Sequence, residues 1–169
     1  GMAFGTGHHE TTRLCLELLQ EAGAQVFDAE VLDVGTGTGI LGMAALLFGA
    51  SHVLGVDNDP EAVRAAAENI RLNNLSGRME AAGKDIKVLD TGFDIVMANI
   101  VHDVLLEISD DLARLTKDGG LLILSGLLAG EQVQNLVHCF EQKSFTVMKK
   151  RKDGPWAALL FQKPITAAA

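Results

Sequence analysis

The sequence is short of cysteine, of positive charge and of long apolar runs, and each shortage removes a class of function. Its two cysteines, Cys15 and Cys139, lie far apart, each among leucines or phenylalanines in a helix-like pattern. They read as buried free thiols of a reducing compartment, and they make neither a disulfide framework nor a metal pair. Net charge is −8, which opposes general attraction to nucleic acid or anionic membrane. The one dense basic run, "KKRK" at 149–152, reads as a solvated strand or turn edge. The longest apolar run, "ILGMAALLFGA", is too short to cross a bilayer and suits a buried helix. No charged-then-apolar leader precedes a small-residue cleavage site. Internal repeats and low-complexity linkers are missing too, apart from the "TAAA" tail. The expectation is a single cytoplasmic domain over residues 1–169, with no membrane partner and no direct nucleic-acid partner.

What is present is a regular alternation. Apolar residues make up 48% and charged residues 21%, enough for an ordinary globular core. "EVLDVG" (30–35) reads as a strand and "GILGMAALLFGA" (39–50) as a helix closed by Gly49. "HVLGVD" (52–57) is a second strand. Pro60 then opens a helix capped by Asn58 or Asp59, burying Ala62, Val63, Ala66, Ala67 and Ile70. A weaker strand falls within 78–83, and a clear one at "FDIVMAN" (93–99). Helical spacing of Val104, Leu105, Ile108, Leu112 and Leu115 predicts one helix over 103–116. "DGG" then turns the chain into the strand "LLILSGLL" (121–128), a helix follows at 131–142, and "FTVMKK" and "WAALLFQK" are strands joined at Asp153-Gly154-Pro155. Continuous apolar strands alternating with helices predict an α/β, Rossmann-like fold, a mainly parallel sheet covered on both faces. The last two strands have only a turn between them, so the final strand must run antiparallel.

"DVGTGTGILG" (33–42) is the chemical centre. A strand enters it and a helix leaves it, which directs backbone N–H groups toward whatever lies above the strand ends. Gly35, Gly37 and Gly39 can take positive φ and admit a ligand against bare backbone. A dinucleotide-type match exists at Gly37, Gly39 and Gly42, but it starts late, inside the helix. Asp33 would repel a pyrophosphate, whereas it could hold the cationic amino end of another ligand. The Lys-Ser/Thr pair of a triphosphate loop is missing. An adenosyl ligand without phosphates fits best. Asp57, about twenty residues beyond the first glycine, ends the second strand where a carboxylate can accept both ribose hydroxyls. Asn99 ends "FDIVMAN", where its amide and neighbouring carbonyls could accept hydrogen bonds from an amine nucleophile. It is the candidate catalytic residue, with a plain helix cap as the bland alternative.

"GMAFGTGHHETTRLCLELL", "VLDVGTGTGILGMAALLFGA", "GVDNDPEAV" and "MANI", followed by "LLILSGLL" and a Trp-containing final strand, resemble the ribosomal protein L-eleven methyltransferases, the PrmA family. The resemblance runs nearly end to end. It implies an S-adenosyl-L-methionine cofactor, released as S-adenosyl-L-homocysteine, and ribosomal protein L-eleven as the partner whose lysine or α-amino nitrogen is methylated. It implies cofactor contacts at Thr12, Gly35, Asp57 and Asn99, with Phe4, Thr6 and His8 in a covering loop that orders around the cofactor. It also implies that this chain is the catalytic domain, without the family's amino-terminal recognition domain. Where the family commonly reads Asn-Ile-Leu followed by a proline, this chain has "NIVHDVL".

The expected reaction is direct displacement of a sulfonium methyl by nitrogen, which needs alignment and exclusion of water and no metal. No unmistakable general base is visible. The alternatives are transfer to another protein or a small molecule, a cofactor-binding module without catalysis, and, more distantly, an NAD-dependent oxidoreductase.

Overall fold

The computed structural model describes residues 9–166. Thirteen principal elements follow one another: α1 (His9–Glu21), β1 (Glu30–Val34), α2 (Ile40–Leu47), β2 (His52–Val56), α3 (Pro60–Leu72), β3 (Met79–Ala82), β4 (Phe93–Asn99), α4 (His102–Glu107), α5 (Ser109–Leu115), β5 (Thr116–Leu128), α6 (Glu131–Glu141), β6 (Thr146–Asp153) and β7 (Trp156–Gln162). The seven strands form one sheet in the order β3-β2-β1-β4-β5-β7-β6. The β1, β2, β3, β4 and β5 pairings are parallel, and β7 runs antiparallel to both β5 and β6. The chain leaves β1 toward β2 and returns on its other side as β4. That reversal of strand order opens a crevice at the carboxyl ends of β1 and β4.

Both faces of the sheet are covered, which is why its central strands are apolar without alternation. On one face Leu14, Cys15, Leu18 and Leu19 of α1, Leu41, Ala45 and Leu46 of α2, and Ile70 of α3 pack on Val31, Ile95, Met97 and Ile123. On the other, Leu105, Leu112, Leu115, Leu136 and Phe140 of α4, α5 and α6 pack on Leu32, Val96, Leu122 and Phe161. Cys15 is buried and Cys139 half-buried, and both are free thiols. Among the described residues, no helix is long and apolar enough to cross a membrane.

Local structure departs from the sequence expectation in three places. Asp59 is the cap of α3, accepting from Glu61 N at 2.9 Å, but the buried stripe is Ala62, Ala66 and Ile70 alone. Val63 is half-buried and Ala67 exposed, because a helix over the sheet's margin presses a single i, i+4 row against it. The single helix over 103–116 is two, broken at Ile108 (φ −98°, ψ 11°). The change of direction lets Leu105 and Leu112 both reach the core, and leaves Val104 exposed. Finally, β5 starts at Thr116, and the "DGG" segment is an irregularity within the strand. Pairing jumps from Phe93↔Thr116 to Ile95↔Leu121, Gly119 takes φ 75°, and Gly119 N and Gly120 O bond Lys163 across the sheet.

The basic run lies on β6, an edge strand of the sheet, as expected. Lys149 and Arg151 reach across to Glu21 of α1, and Arg151 also reaches Glu17. Charge on an edge strand discourages pairing with other chains.

Candidate active site

The turn after β1 is pinned to the end of β2 by three successive backbone groups. Gly35 N and Thr36 N both donate to Val56 O, at 2.8 and 3.0 Å, and Gly37 N donates to Asp57 Oδ2 at 3.0 Å. Gly39 N turns back onto Thr36 O at 2.9 Å. The sequence expectation puts the ligand-facing N–H groups at the start of the helix, Ile40 onward; in the turn that leads to it several are engaged elsewhere. Those of Gly35, Thr36, Gly37 and Gly39 are taken up by the chain itself. An anion cradle requires free donors, so the turn is poorly equipped for a pyrophosphate.

Gly35, Gly37 and Gly39 have φ of 71°, 58° and 88°, a region that side chains with a Cβ enter at a cost. Gly35 is also crowded: a Cβ there would lie 2.8 Å from Ile100 Cγ2. The glycine turn therefore packs directly on the segment that follows Asn99.

Asp33 is 1% exposed. Its Oδ2 accepts from Thr36 Oγ1 at 2.7 Å, and Gly42 N–H also donates to its carboxylate. Burial pushes its pKa up to about 6, against the pull of those two donors. The carboxylate is thus turned into the base of the turn, where it holds the loop. Asp57 is half-buried, with Oδ2 taken by Gly37 N and Oδ1 by Asp59 N, each at 3.0 Å. Each oxygen keeps a second lone pair, so a firmly oriented carboxylate still offers two acceptor positions.

Asn99 is 6% exposed, and its Oδ1 is buried without a hydrogen-bond partner among the described residues. It is in register with Ser125, whose hydroxyl donates to Thr11 O at 2.8 Å. That bond ties the first turn of α1, and with it half-buried Thr12, to the carboxyl edge beside Asn99. Gly126 (φ 87°) keeps the corner open, since a Cβ there would lie 2.8 Å from Ile100 O and 3.1 Å from Asn99 Oδ1. The structure therefore gathers Thr12, Asp33, Gly35, Gly37, Gly39, Asp57 and Asn99 along one edge. Phe4, Thr6 and His8, and the expected ordering of their loop, lie outside the described residues.

Sequence reasoning missed several supporting groups. Thr36 and Gly126 carry no motif signal of their own, and only their contacts across the sheet edge reveal them. His102 stands just beyond Asn99 in the stretch that lacks the proline. Its Nδ1 meets Asp103 Oδ1 at 2.8 Å and its Nε2 meets Asn135 Nδ2 at 3.3 Å, tying α4 to α6.

The family described as Ribosomal protein L11 methyltransferase (PrmA) matches residues 1–164. The chain belongs to this family. Two curated relatives bearing the name Ribosomal protein L11 methyltransferase are those of Desulfotalea psychrophila, 47% identical over 96% of this chain, and Pelobacter propionicus, 42% identical over 99%. The chain spans only 54% and 55% of their lengths. The crystal structure of a ribosomal protein L11 methylase from Lactobacillus delbrueckii subsp. bulgaricus superposes with a TM-score of 0.86 at 31% identity, covering 94% of this chain and 81% of that one. A magnesium protoporphyrin IX methyltransferase from Synechocystis, solved with bound SAM, shares the fold, with a TM-score of 0.74 at 18% identity over 93% of this chain and 80% of that one. Membership of the PrmA family thus agrees with the parallel sheet, its antiparallel β7, and the crevice between β1 and β4.

Proposed function

We propose that this chain transfers a methyl group from S-adenosyl-L-methionine to a protein amine, a lysine or α-amino nitrogen, and that ribosomal protein L11 is the acceptor. The observation that carries this reading is Asn99 Oδ1, a buried acceptor with no donor among the described residues. An unmet acceptor costs about 1–3 kcal/mol, and the N–H groups of an amine or of the cofactor's own amino end would meet it. The rest of the site fits the same group. Asp57 offers two acceptor positions where ribose hydroxyls need them, and the turn's spent N–H groups favour a ligand without phosphates over NAD. Relatives of this chain carry the name of the proposed activity.

When bound, the cofactor supplies a methyl already activated by its sulfonium. A neutral amine receiving that methyl would give up its extra proton to solvent. This chain has to hold, align and desolvate. Asp57 orients the ribose. Asn99 Oδ1 accepts an N–H and so aims the nitrogen lone pair, while burial of the site lowers a lysine pKa and favours the neutral amine. Thr12 borders the same edge. Asp33, turned inward, holds the loop's shape. A cytoplasmic location accords with a ribosomal substrate.

Titration calorimetry with S-adenosyl-L-homocysteine tests the cofactor, and mass spectrometry of ribosomal protein L11 after incubation tests the transfer. Asn99→Ala should depress kcat by about 100-fold, within the range for a group that positions a reactant, and should weaken cofactor binding less. The helix-cap alternative is already excluded, since Val101 caps α4 with no side-chain bond from Asn99, so full turnover in that variant would remove Asn99 from the transfer altogether. If the wild-type chain bound no S-adenosyl-L-homocysteine, the whole reading would fail.

A further inference from the structure

We infer that Thr36 is a positioning residue that sets the orientation of Asp57 by latching the glycine turn onto Gly55 and Asp33, an inference that rests on the cofactor site proposed above. Asp33 and Gly55 are register partners on β1 and β2. The turn brings Thr36 back over this pair. Its hydroxyl donates to Asp33 Oδ2 at 2.7 Å. Its side chain fills the place of a missing Cβ at Gly55, where that atom would lie 2.6 Å from Thr36 Oγ1, 2.9 Å from Cβ and 3.2 Å from Cγ2. A glycine in the middle of a buried strand weakens it and marks a close approach, and here the approaching group is Thr36.

The latch has a consequence one residue further on. With Thr36 seated, its own N–H and that of Gly35 reach Val56 O, and Gly37 N–H reaches Asp57 Oδ2. That last bond, opposed by Asp59 N on Oδ1, fixes the plane of the carboxylate. Thr36 therefore acts on the ligand through Asp57 and never touches it. Both halves of its side chain matter, the hydroxyl for Asp33 and the bulk for Gly55.

The test is a set of variants titrated with S-adenosyl-L-homocysteine by calorimetry. Thr36→Val keeps the bulk and removes the donor, and should lose about tenfold in affinity, the scale of one buried hydrogen bond. Thr36→Ser keeps the donor and gives up only the Cγ2 contact, so it should lose less than Thr36→Val, about threefold. Gly55→Ala crowds the seat and should lose about as much as Thr36→Val. A role confined to general stability would add to any other substitution, whereas a role through Asp57 would not. In an Asp57→Asn background, Thr36→Val should therefore cost less than about threefold. Wild-type affinity in Thr36→Val, or an undiminished loss beside Asp57→Asn, would overturn the inference while leaving the proposed cofactor in place. Amide hydrogen exchange of the ligand-free chain supplies a readout that needs no cofactor. Gly37 N–H should exchange about ten times faster in Thr36→Val than in wild type, and unchanged protection would also overturn the latch. Absence of binding by the wild-type chain would instead sink the function proposed above, and exchange at Gly37 would still decide the role of Thr36.

Discussion

A carboxylic acid that is 1% exposed, as Asp33 is, bears on stability as well as on the site. Desolvation raises its pKa from 3.8 to about 6, the Thr36 hydroxyl and Gly42 N–H oppose that rise, and nearby Asp57 adds to it. A pKa higher in the folded than in the unfolded chain means that the folded chain binds more protons between the two values. The contribution of Asp33 is therefore complete below pH 3.8 and is lost as pH climbs through about 6. Two pKa units correspond to about 3 kcal/mol. Glu21 and Glu68 act with the opposite sign, since the cations beside them lower their pKa values. Their share appears at higher pH and is lost on acidification. Comparison with Asp33→Asn cancels these other carboxylates. Urea denaturation should show the wild-type stability falling relative to Asp33→Asn between pH 4.5 and 7.5, by about 2 kcal/mol or more. A difference that stayed flat with pH would mean that Asp33 is ionised without penalty in the fold. The same burial that makes this acid costly also keeps Cys15 protonated, since desolvation, aided by Asp33, pushes its thiol well above the usual range.

Between α2 and the strands beneath it, the controlling contact is again at a glycine. A Cβ at Gly42 would lie 2.6 Å from Met79 Cε and 2.9 Å from Val53 Cγ1, so α2 rests on β2 and β3 at a height that only glycine permits. Helix propensity favours alanine over glycine by about 1 kcal/mol, whereas overpacking costs about 1–3 kcal/mol. Met79 can swing its terminal carbon aside, but β-branched Val53 cannot. Gly42→Ala should therefore destabilise the chain by about 1 kcal/mol, and Val53→Ala in the same chain should recover part of that loss. Denaturant midpoints measure both, and a more stable Gly42→Ala variant would refute the close contact. Elements of this kind were legible in the sequence to different degrees. β1, β2 and β4 appear within a residue of expectation because a strand buried on both faces must be an unbroken apolar run. The break at Ile108 was hidden, since Ile108 keeps the spacing of one continuous helix and only packing decides its direction. "DGG" has the composition of a turn, and its place inside β5 depends on Lys163, far along the chain. The site divides in the same way. Asp57 and Asn99 were legible because strand ends are positions that a motif marks. Thr36 and Gly55 were not, since their contact joins a turn to the neighbouring strand, and the only trace of it was a glycine inside an apolar run.

Over the whole molecule, cofactor and acceptor make unequal demands. Everything proposed to hold the cofactor's ribose is local: a turn pinned to Val56 and Asp57, and a carboxylate oriented by two backbone N–H groups. Recognition of a folded protein needs far more area than a strand edge offers, commonly about 800 Å² on each partner. The sequence of residues 1–169 spans 54% of its Desulfotalea psychrophila relative, and we propose that these residues carry the methyl transfer while recognition of L11 draws on surface beyond them. Binding energy from such remote contacts is what positions the reacting nitrogen. Two expectations follow from that separation. Affinity for S-adenosyl-L-homocysteine should match that of a full-length relative within about threefold, because the groups that set it are local. Methylation of L11 by residues 1–169 tested by themselves should be slower than by a full-length relative by about 100-fold or more, since a strand edge offers little recognition energy to align the amine. Steady-state assays with L11 and with a short lysine peptide separate the two contributions. The full-length relative should prefer L11 strongly, whereas this chain should treat protein and peptide almost alike. Rapid methylation of L11 by this chain, with the preference intact, would place the recognition surface within these residues and refute the division of labour.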